Sequence, residues 1–389
     1  MNSVIPKTYP QDSDEIPIFE PGEGRIPLFM PHVPRGAVER VTRTLGTRWI
    51  GQGPQVDFFE QQMSKRFFAG NSALAVGSGT DALHLSYLLA GLKSGDEVLT
   101  PVFTCTATNI PLLYLDVKPI FVDVDPKTLN IDVAHARKVA TEKTKAIICV
   151  HYAGLPCDMD EIHQLGRDLG VPVIEDAAHA VGASYKGSPV GSLSDFTMFS
   201  FQAIKHITTG DGGMLTFKDP ELLGLAQSLR WFGIDRTKKQ MGIWENDITE
   251  VGYKYQMTDI GAAMGLAALD EWETTFALRQ SLLNRYVENL MSFSDLRILA
   301  APQSDREHAA WLFTVSVNRR RDLQRKLADN LIESNQVHYR NDRYSIFGQR
   351  RDDLPNMDAI EDHYLCLPLH TQMNLADVDR VCSVIKSGW

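Results

Sequence analysis

The stretch ALAVGSGTDALHLSYLLA (residues 73–90) changes its hydrophobic period part-way along. Ala73–Val76 is a short unbroken apolar run, as in a strand buried on both faces. Ser78-Gly79-Thr80 is turn chemistry, and Asp81–Ala90 then places its apolar side chains at helical spacing. A strand feeding a helix through a glycine turn is the first half of a βαβ unit. The pattern repeats downstream. Glu97–Phe103 is a strand and Thr106–Leu115 a helix. Pro119–Val124 is a strand and Val133–Thr141 a helix. Ala146–His151 is a strand, Met159–Leu169 a helix and Val171–Glu175 a strand. Phe196–Phe201 and Gly213–Phe217 close the series as strands. Apolar strands alternating with helices predict an α/β fold, with a mostly parallel central sheet and helices on both faces.

Outward from this series the texture changes. Residues 1–35 are rich in Pro, Gly and acidic groups and read as an N-terminal arm, with a strand near Ile26–Met30. Residues 36–69 carry two helical patterns broken at Gly51-Gln52-Gly53-Pro54, a turn signal. Residues 218–285 read as mainly helical, including Asp259–Trp272 with its small residues Gly261, Ala262, Ala263 and Gly265. Residues 286–389 mix a strand (Trp311–Val317) with helices (Asp322–Ser334, Ala376–Ile385). The expected organisation is an arm (1–35), a large α/β domain (36–285) and a small C-terminal α+β domain (286–389), as a length of 389 residues suits.

Bulk properties exclude several classes. A net charge of −10 gives no general attraction to nucleic acid. The single basic run, Arg319-Arg320-Arg321, reads as a solvated helix start or loop. No apolar run is long enough for a membrane span, and the N-terminus lacks a basic start and apolar h-region, so a cytoplasmic protein is expected. The cysteines, Cys105, Cys149, Cys157, Cys366 and Cys382, are odd in number and form no CxxC pair, against a disulfide framework or zinc site. Cys149 and Cys366 lie in apolar strings and read as core residues. His151, His179 and His206 lack metal-ligand spacing, and no GxGxxG follows the first strand.

In an open parallel sheet, ligands bind at the carboxyl ends of the strands. Gly77-Ser78-Gly79-Thr80 opens a helix there, and its amides and the Thr80 hydroxyl can hold a phosphate; an ordinary βα turn reads the same way. Glu175-Asp176-Ala177-Ala178-His179 ends another strand. Its carboxylate can cap a helix or keep a ring nitrogen protonated, and His179 can meet a phenolic oxygen or be a satisfied core histidine. Ser200-Phe201-Gln202-Ala203-Ile204-Lys205-His206 follows the next strand and leads into Thr208-Thr209-Gly210-Asp211-Gly212-Gly213. A lysine between an apolar strand and a glycine-rich loop loses its proton readily and becomes a nucleophile toward aldehydes. Singly each feature is ambiguous; a phosphate cradle, an acid and a lysine in order at strand ends are far more specific.

The runs SGTDAL (78–83), VIEDAAHAVGA (173–183), SFQAIKHITTGDGG (200–213), GYKYQMTDIGAAMGL (252–266) and LCLPLH (365–370) resemble the DegT/DnrJ/EryC1/StrS family of sugar aminotransferases. The likeness runs from about residue 26 to the C-terminus. It implies a fold-type I aminotransferase with pyridoxal 5′-phosphate as cofactor, and a homodimer whose active sites lie at the subunit interface. It implies that Lys205 holds the cofactor as a Schiff base, Asp176 pairs with the ring nitrogen, and His179 stands beside the ring hydroxyl. Gly79, Thr80 and Ser200 would hold the phosphate, and Lys254 stands where many members have an Asn reaching the partner's phosphate. Two positions depart from the pattern. Cys105 stands where an aromatic ring commonly covers the cofactor, as a polarizable sulfur near the ring or as a buried thiol, while Phe103 need not point inward. Gln202 replaces a frequent His and is expected to tune the substrate pocket.

The implied reaction is a ping-pong transfer from L-glutamate, released as 2-oxoglutarate, to a keto sugar, expected to be nucleotide-linked and aminated at C3 or C4 of a 6-deoxy sugar. The Val337–Tyr344 stretch offers a substrate wall in which Arg340 or Arg343 can meet a diphosphate or sit in a solvated basic loop. The competing functions are a dehydratase, whose branch carries His at the lysine position, an isomerase or lyase using the same cofactor, and a non-catalytic cofactor-binding sensor. Lys205 opposes the dehydratase branch, and Lys205 with Asp176 opposes the sensor.

Overall fold

The computed structural model describes residues 22–245 and 247–389; most of the expected N-terminal arm, residues 1–21, lies outside the described residues. Seven strands make the central sheet: β1 (Ser72–Val76), β2 (Glu97–Pro101), β3 (Lys118–Val122), β4 (Thr144–Val150), β5 (Val173–Asp176), β6 (Phe196–Ser200) and β7 (Gly213–Phe217). Their spatial order is β1-β7-β6-β5-β4-β2-β3. The run β6-β5-β4-β2-β3 is parallel, and β7 is antiparallel to both its neighbours. Residues 201–212 carry no helix, so β7 returns beside β6 instead of crossing over.

Helices α1 (Ala37–Leu45) and α2 (Pro54–Phe67) precede β1. Helices α3 (Gly79–Leu89), α4 (Thr106–Tyr114), α5 (Val133–Val139) and α6 (Met159–Leu169) follow β1 to β4 in turn. Strand alternation divides the side chains between two cores. Ala75, Phe199 and Met214 join Phe59 and Met63 of α2 on one face. Leu74, Met198 and Leu215, their chain neighbours, join Leu83 and Tyr87 of α3 on the other. Both faces are therefore covered, which is why these strands read as continuous apolar runs. Among the described residues, no helix is long and apolar enough to cross a membrane.

Beyond the sheet come α7 (Leu222–Arg230), α8 (Arg236–Gln240), α9 (Asp259–Asp270) and α10 (Trp272–Leu290). The mainly helical reading of 218–285 fails over 231–258, where α8 is the only helix among the described residues. Glycines at positive φ, Gly233 and Gly242, interrupt that segment. A second, antiparallel sheet has the order β8 (Leu296–Leu299), β9 (Phe313–Val317), β10 (Tyr364–Leu367). Against it lie α11 (Arg320–Asp329), α13 (Leu375–Lys386) and the second half of α10, through Leu282, Leu283, Tyr286 and Leu290; α12 (Pro355–Ile360) precedes β10. Ile26 makes a single bridge to Ile332 in place of the expected strand at 26–30. Arg320 is buried and donates to the Asp362 carbonyl at 3.0 Å, so the basic triplet is not wholly solvated.

Asp259 explains how the Gly51–Pro54 turn is held. Its carboxylate accepts the amides of Gly53, Gln55 and Val56 at 2.8, 3.2 and 3.0 Å, satisfying the start of α2. A Cβ on Gly53 would stand 2.7 Å from that carboxylate, so the close approach requires glycine. Asp259→Ala leaves these amides without their acceptor and is expected to lower the unfolding free energy by about 2–4 kcal/mol. Urea denaturation at unchanged m-value measures it; a loss below about 0.5 kcal/mol would mean that water replaces the carboxylate without penalty.

Candidate active site

The strand register brings the expected segments level. Val76 pairs with Gly213, and Gly213 pairs with Ser200, so the ends of β1 and β6 meet the start of β7 side by side. A Cβ on Gly213 would lie 2.5 Å from the Ser78 carbonyl, and one on Gly79 would lie 3.2 Å from Ser200 Cβ. Glycine at both positions lets the turn after β1 lie against Ser200. Ser78 caps α3 by accepting the Asp81 amide at 3.0 Å, so the helix opens at Gly79. A helix start leaves its first amides without intrahelical acceptors and carries positive partial charge. Gly79 and Thr80 open this helix, and Ser200 stands against Gly79, the kind of helix start that can receive a phosphate.

Asp176 ends β5, the parallel neighbour of β6. It is buried; Oδ2 accepts the Thr108 hydroxyl at 2.7 Å and Oδ1 the Ala178 amide at 3.1 Å. Burial raises its carboxyl above the usual range, and these hydrogen bonds and then the Lys205 charge oppose that rise. The Lys205 amine is itself desolvated. Burial lowers its pKa to about 7, against the opposing pull of Asp176 and Cys105. Lys205 Nζ lies 3.6 Å from the ring centre of Trp311. His179 stacks on the same indole at 3.6 Å with 15° between planes, and His338 is parallel to His179 at 5.3 Å. Burial and the nearby lysine hold both imidazoles neutral, with His338 down to about 3. His179 Nδ1 and His338 Nε2 are buried without a partner among the described residues.

Residues 34–386 match the model of the DegT/DnrJ/EryC1/StrS aminotransferase family. The chain belongs to this family. It is 34% identical, over 93% of its length and 97% of the relative's, to a UDP-4-amino-4-deoxy-L-arabinose–oxoglutarate aminotransferase of Shewanella sediminis. Its structure is similar to AtS13 from Actinomadura melliaura, with a TM-score of 0.89 and 37% identity over 95% of this chain and 100% of that one. It is also similar to the pyridoxal phosphate form of a putative sugar aminotransferase from Streptococcus pneumoniae, with a TM-score of 0.87 and 30% identity over 93% and 98% of the two chains. The protein is a pyridoxal phosphate-dependent sugar aminotransferase of fold-type I.

The site of this aminotransferase fits that cofactor. It combines a phosphate cradle that a Cβ on Gly79 would crowd, a buried carboxylate, a desolvated amine and the orphaned His179 Nδ1. Cys105 is exposed and stands at the N-cap of α4, so the buried-thiol reading is set aside. Phe103 is buried against Tyr152 and Tyr364 and faces the core. Gln202 is exposed, its side chain accepting the Ile204 amide at 3.2 Å. His206 turns away from Lys205, with Nε2 2.7 Å from the Ala309 carbonyl. His151 is engaged with Glu175 at 2.7 Å, both fully buried. Lys254 lies apart, its amine over the rings of Trp231 and Phe232 at 5.6 and 5.5 Å.

Arg340 is not available to a diphosphate. It is fully buried and grips both oxygens of Asp342 at 2.6 and 2.7 Å, with Asp358 and Glu361 beside it. Arg343 is exposed, its guanidinium 4.6 Å from the ring centre of Tyr339. Sequence reasoning missed Thr108 and Trp311, while His338 lay in the stretch read as a substrate wall and not as a neighbour of His179. Thr108 and Trp311 lie in segments read for their secondary structure, and only contacts across the fold bring them to Asp176 and Lys205.

Capture of pyridoxal phosphate by an amine needs its neutral form. The rate of capture by the cofactor-free chain should therefore rise with pH, with a midpoint near 7, and level off above it. A rise that continues to about pH 10, as for an ordinary lysine, would show that Lys205 is not desolvated.

Proposed function

We propose that this aminotransferase moves an amino group from L-glutamate to a nucleotide-linked 3- or 4-keto-6-deoxy sugar, with Lys205 as the residue that binds pyridoxal phosphate covalently. The observation that carries the assignment is that the Lys205 amine, in the loop after β6, and the Asp176 carboxylate, at the end of the adjacent parallel strand β5, lie close enough for each to shift the other's proton affinity. The Shewanella sediminis relative is named for a UDP-linked amino sugar and oxoglutarate, which supports the choice of donor and of a nucleotide-linked acceptor.

Pyridoxal phosphate supplies an electrophilic carbonyl carbon and an electron-withdrawing ring. Gly79, Thr80 and Ser200 hold its phosphate. Asp176 accepts a ring N–H; Thr108 and the Ala178 amide fix the carboxylate, and its oxygens keep further lone pairs for the ring. His179, kept neutral, meets the ring hydroxyl through an imidazole nitrogen. Cys105, exposed at the N-cap of α4, would face the bound ring. Lys205 Nζ, with its pKa near 7, would take the proton leaving the donor's α-carbon and deliver it to the carbon that was the cofactor's carbonyl, the match of pKa to pH that general acid–base work favours.

We place two copies together, with Lys254 reaching the partner's phosphate. Phe232, Met241, Trp244, Ile248 and Val251, all exposed, gather on the 231–258 segment that carries Lys254, an apolar surface of the sort a subunit interface covers. Arg343 meets the acceptor's diphosphate.

Lys205→Ala is expected to lower turnover at least about 1000-fold, and Asp176→Asn about 100-fold. The assay follows stoichiometric release of 2-oxoglutarate from glutamate, which an isomerase would not give. Turnover of Lys205→Ala within tenfold of the parent overturns the assignment. Arg343→Ala should raise KM for the acceptor about tenfold and leave the glutamate half-reaction unchanged. Arg340→Ala should instead lower stability by about 3–5 kcal/mol in urea denaturation, because it strands the buried Asp342 carboxylate.

A further inference from the structure

Trp311 is buried immediately before β9, yet its ring face is turned to Lys205, with Nζ 3.6 Å from the ring centre. The indole is held on several sides. Its N–H donates to the Ile204 carbonyl at 3.2 Å, which ties the ring to the residue beside the lysine. His179 stacks on it at 3.6 Å, and Phe29 at 5.7 Å with 27° between planes. Such a ring cannot swing aside when the lysine moves. Its face carries the negative part of the aromatic quadrupole, which attracts an ammonium and not a neutral amine.

We propose that Trp311 is a positioning residue: its face receives the Lys205 ammonium whenever the amine is not bonded to the cofactor, and holds both the side chain and its proton at the site. This rests on the reading of Lys205 as the cofactor lysine. The groups around the amine leave this role open. Asp176 at the end of β5 and Cys105 at the start of α4 favour the ammonium, while burial and Arg279 of α10 oppose it. His179, His206 and His338 are each held neutral by burial and bring no charge near neutral pH. The ring face therefore acts in the same direction as Asp176, at a closer and fixed position. An amine that must be neutral to bond and protonated to give a proton back needs both states within reach. Burial secures the first, and Trp311 with Asp176 secures the second. If the indole merely filled space, an aliphatic side chain would serve as well.

The test is the pH midpoint of pyridoxal phosphate capture by the full-length chain freed of cofactor. Trp311→Leu should lower that midpoint by about one pH unit, and Trp311→Phe, which keeps a ring face, by less than half as much. Biosynthetic replacement of tryptophan by ring-fluorinated tryptophan keeps the shape and weakens the face; it should lower the midpoint stepwise with the number of fluorines. A Trp311→Leu midpoint within about 0.2 pH units of the parent, in a protein with native circular dichroism, overturns the proposal. If the leucine variant does not fold, an unmoved midpoint in the fluorinated protein overturns it. Lys205→Ala separates the two readings: capture that persists there sinks the lysine assignment. Capture lost there, with Trp311 variants unmoved, sinks only the role of Trp311.

Discussion

A partly buried amine near a buried carboxylate is pulled two ways: desolvation favours the neutral lysine, the carboxylate favours the ammonium, and Lys205 sits where the two nearly balance, at about 7. That balance is a matter of placement. Asp176 ends β5, and Lys205 follows in the loop after β6, its hydrogen-bonded neighbour. A parallel sheet delivers successive strand ends to one edge, and helices on both faces keep water from the strands beneath it. The same edge receives the start of α3, because β7 returns antiparallel between β1 and β6 and brings Gly213 against Ser78.

The acid is held through a chain of polar contacts that leaves the sheet. Thr108 joins Asp176 to Thr104, each hydroxyl contact at 2.7 Å. The Thr104 carbonyl accepts the Asn341 amide at 2.8 Å, and the Asn341 carbonyl oxygen accepts from Asn109 at 2.9 Å. Phe103–Thr104 also pairs with Tyr339–Arg340. The start of α4, which carries Cys105 and Thr108, is thereby fixed by a segment more than two hundred residues away in sequence. Thr104, Thr108, Asn109, Asp176 and Asn341 are all buried, so each unmade bond would leave an unsatisfied polar group, and the network holds as a unit.

Much of this was legible in the linear chain. A strand end followed by glycines, an acid or a lysine is a local pattern, and its chemistry depends on residue type at a fixed distance from an apolar run; Gly79, Thr80, Asp176, Ser200 and Lys205 could be picked out that way. The readings that failed depended on distant neighbours. Arg340 looked like a diphosphate ligand because nothing nearby in sequence shows that Asp358 and Glu361 would close around it. The 231–258 segment looked helical in composition, but its only helix among the described residues is α8.

The sequence by itself determined the α/β class and the order of the strands along the chain, because period and turn chemistry are properties of short segments, and its likeness to the family implied the cofactor and marked Lys205 as the candidate lysine. Only the tertiary structure decided which rings surround that lysine. Trp311 and His338 lie more than a hundred residues beyond it, and desolvation arises only when separate elements close around one amine. The nearly neutral pKa of Lys205 is therefore a property of the folded chain, since the same lysine in an extended chain keeps its solvent and its ordinary proton affinity.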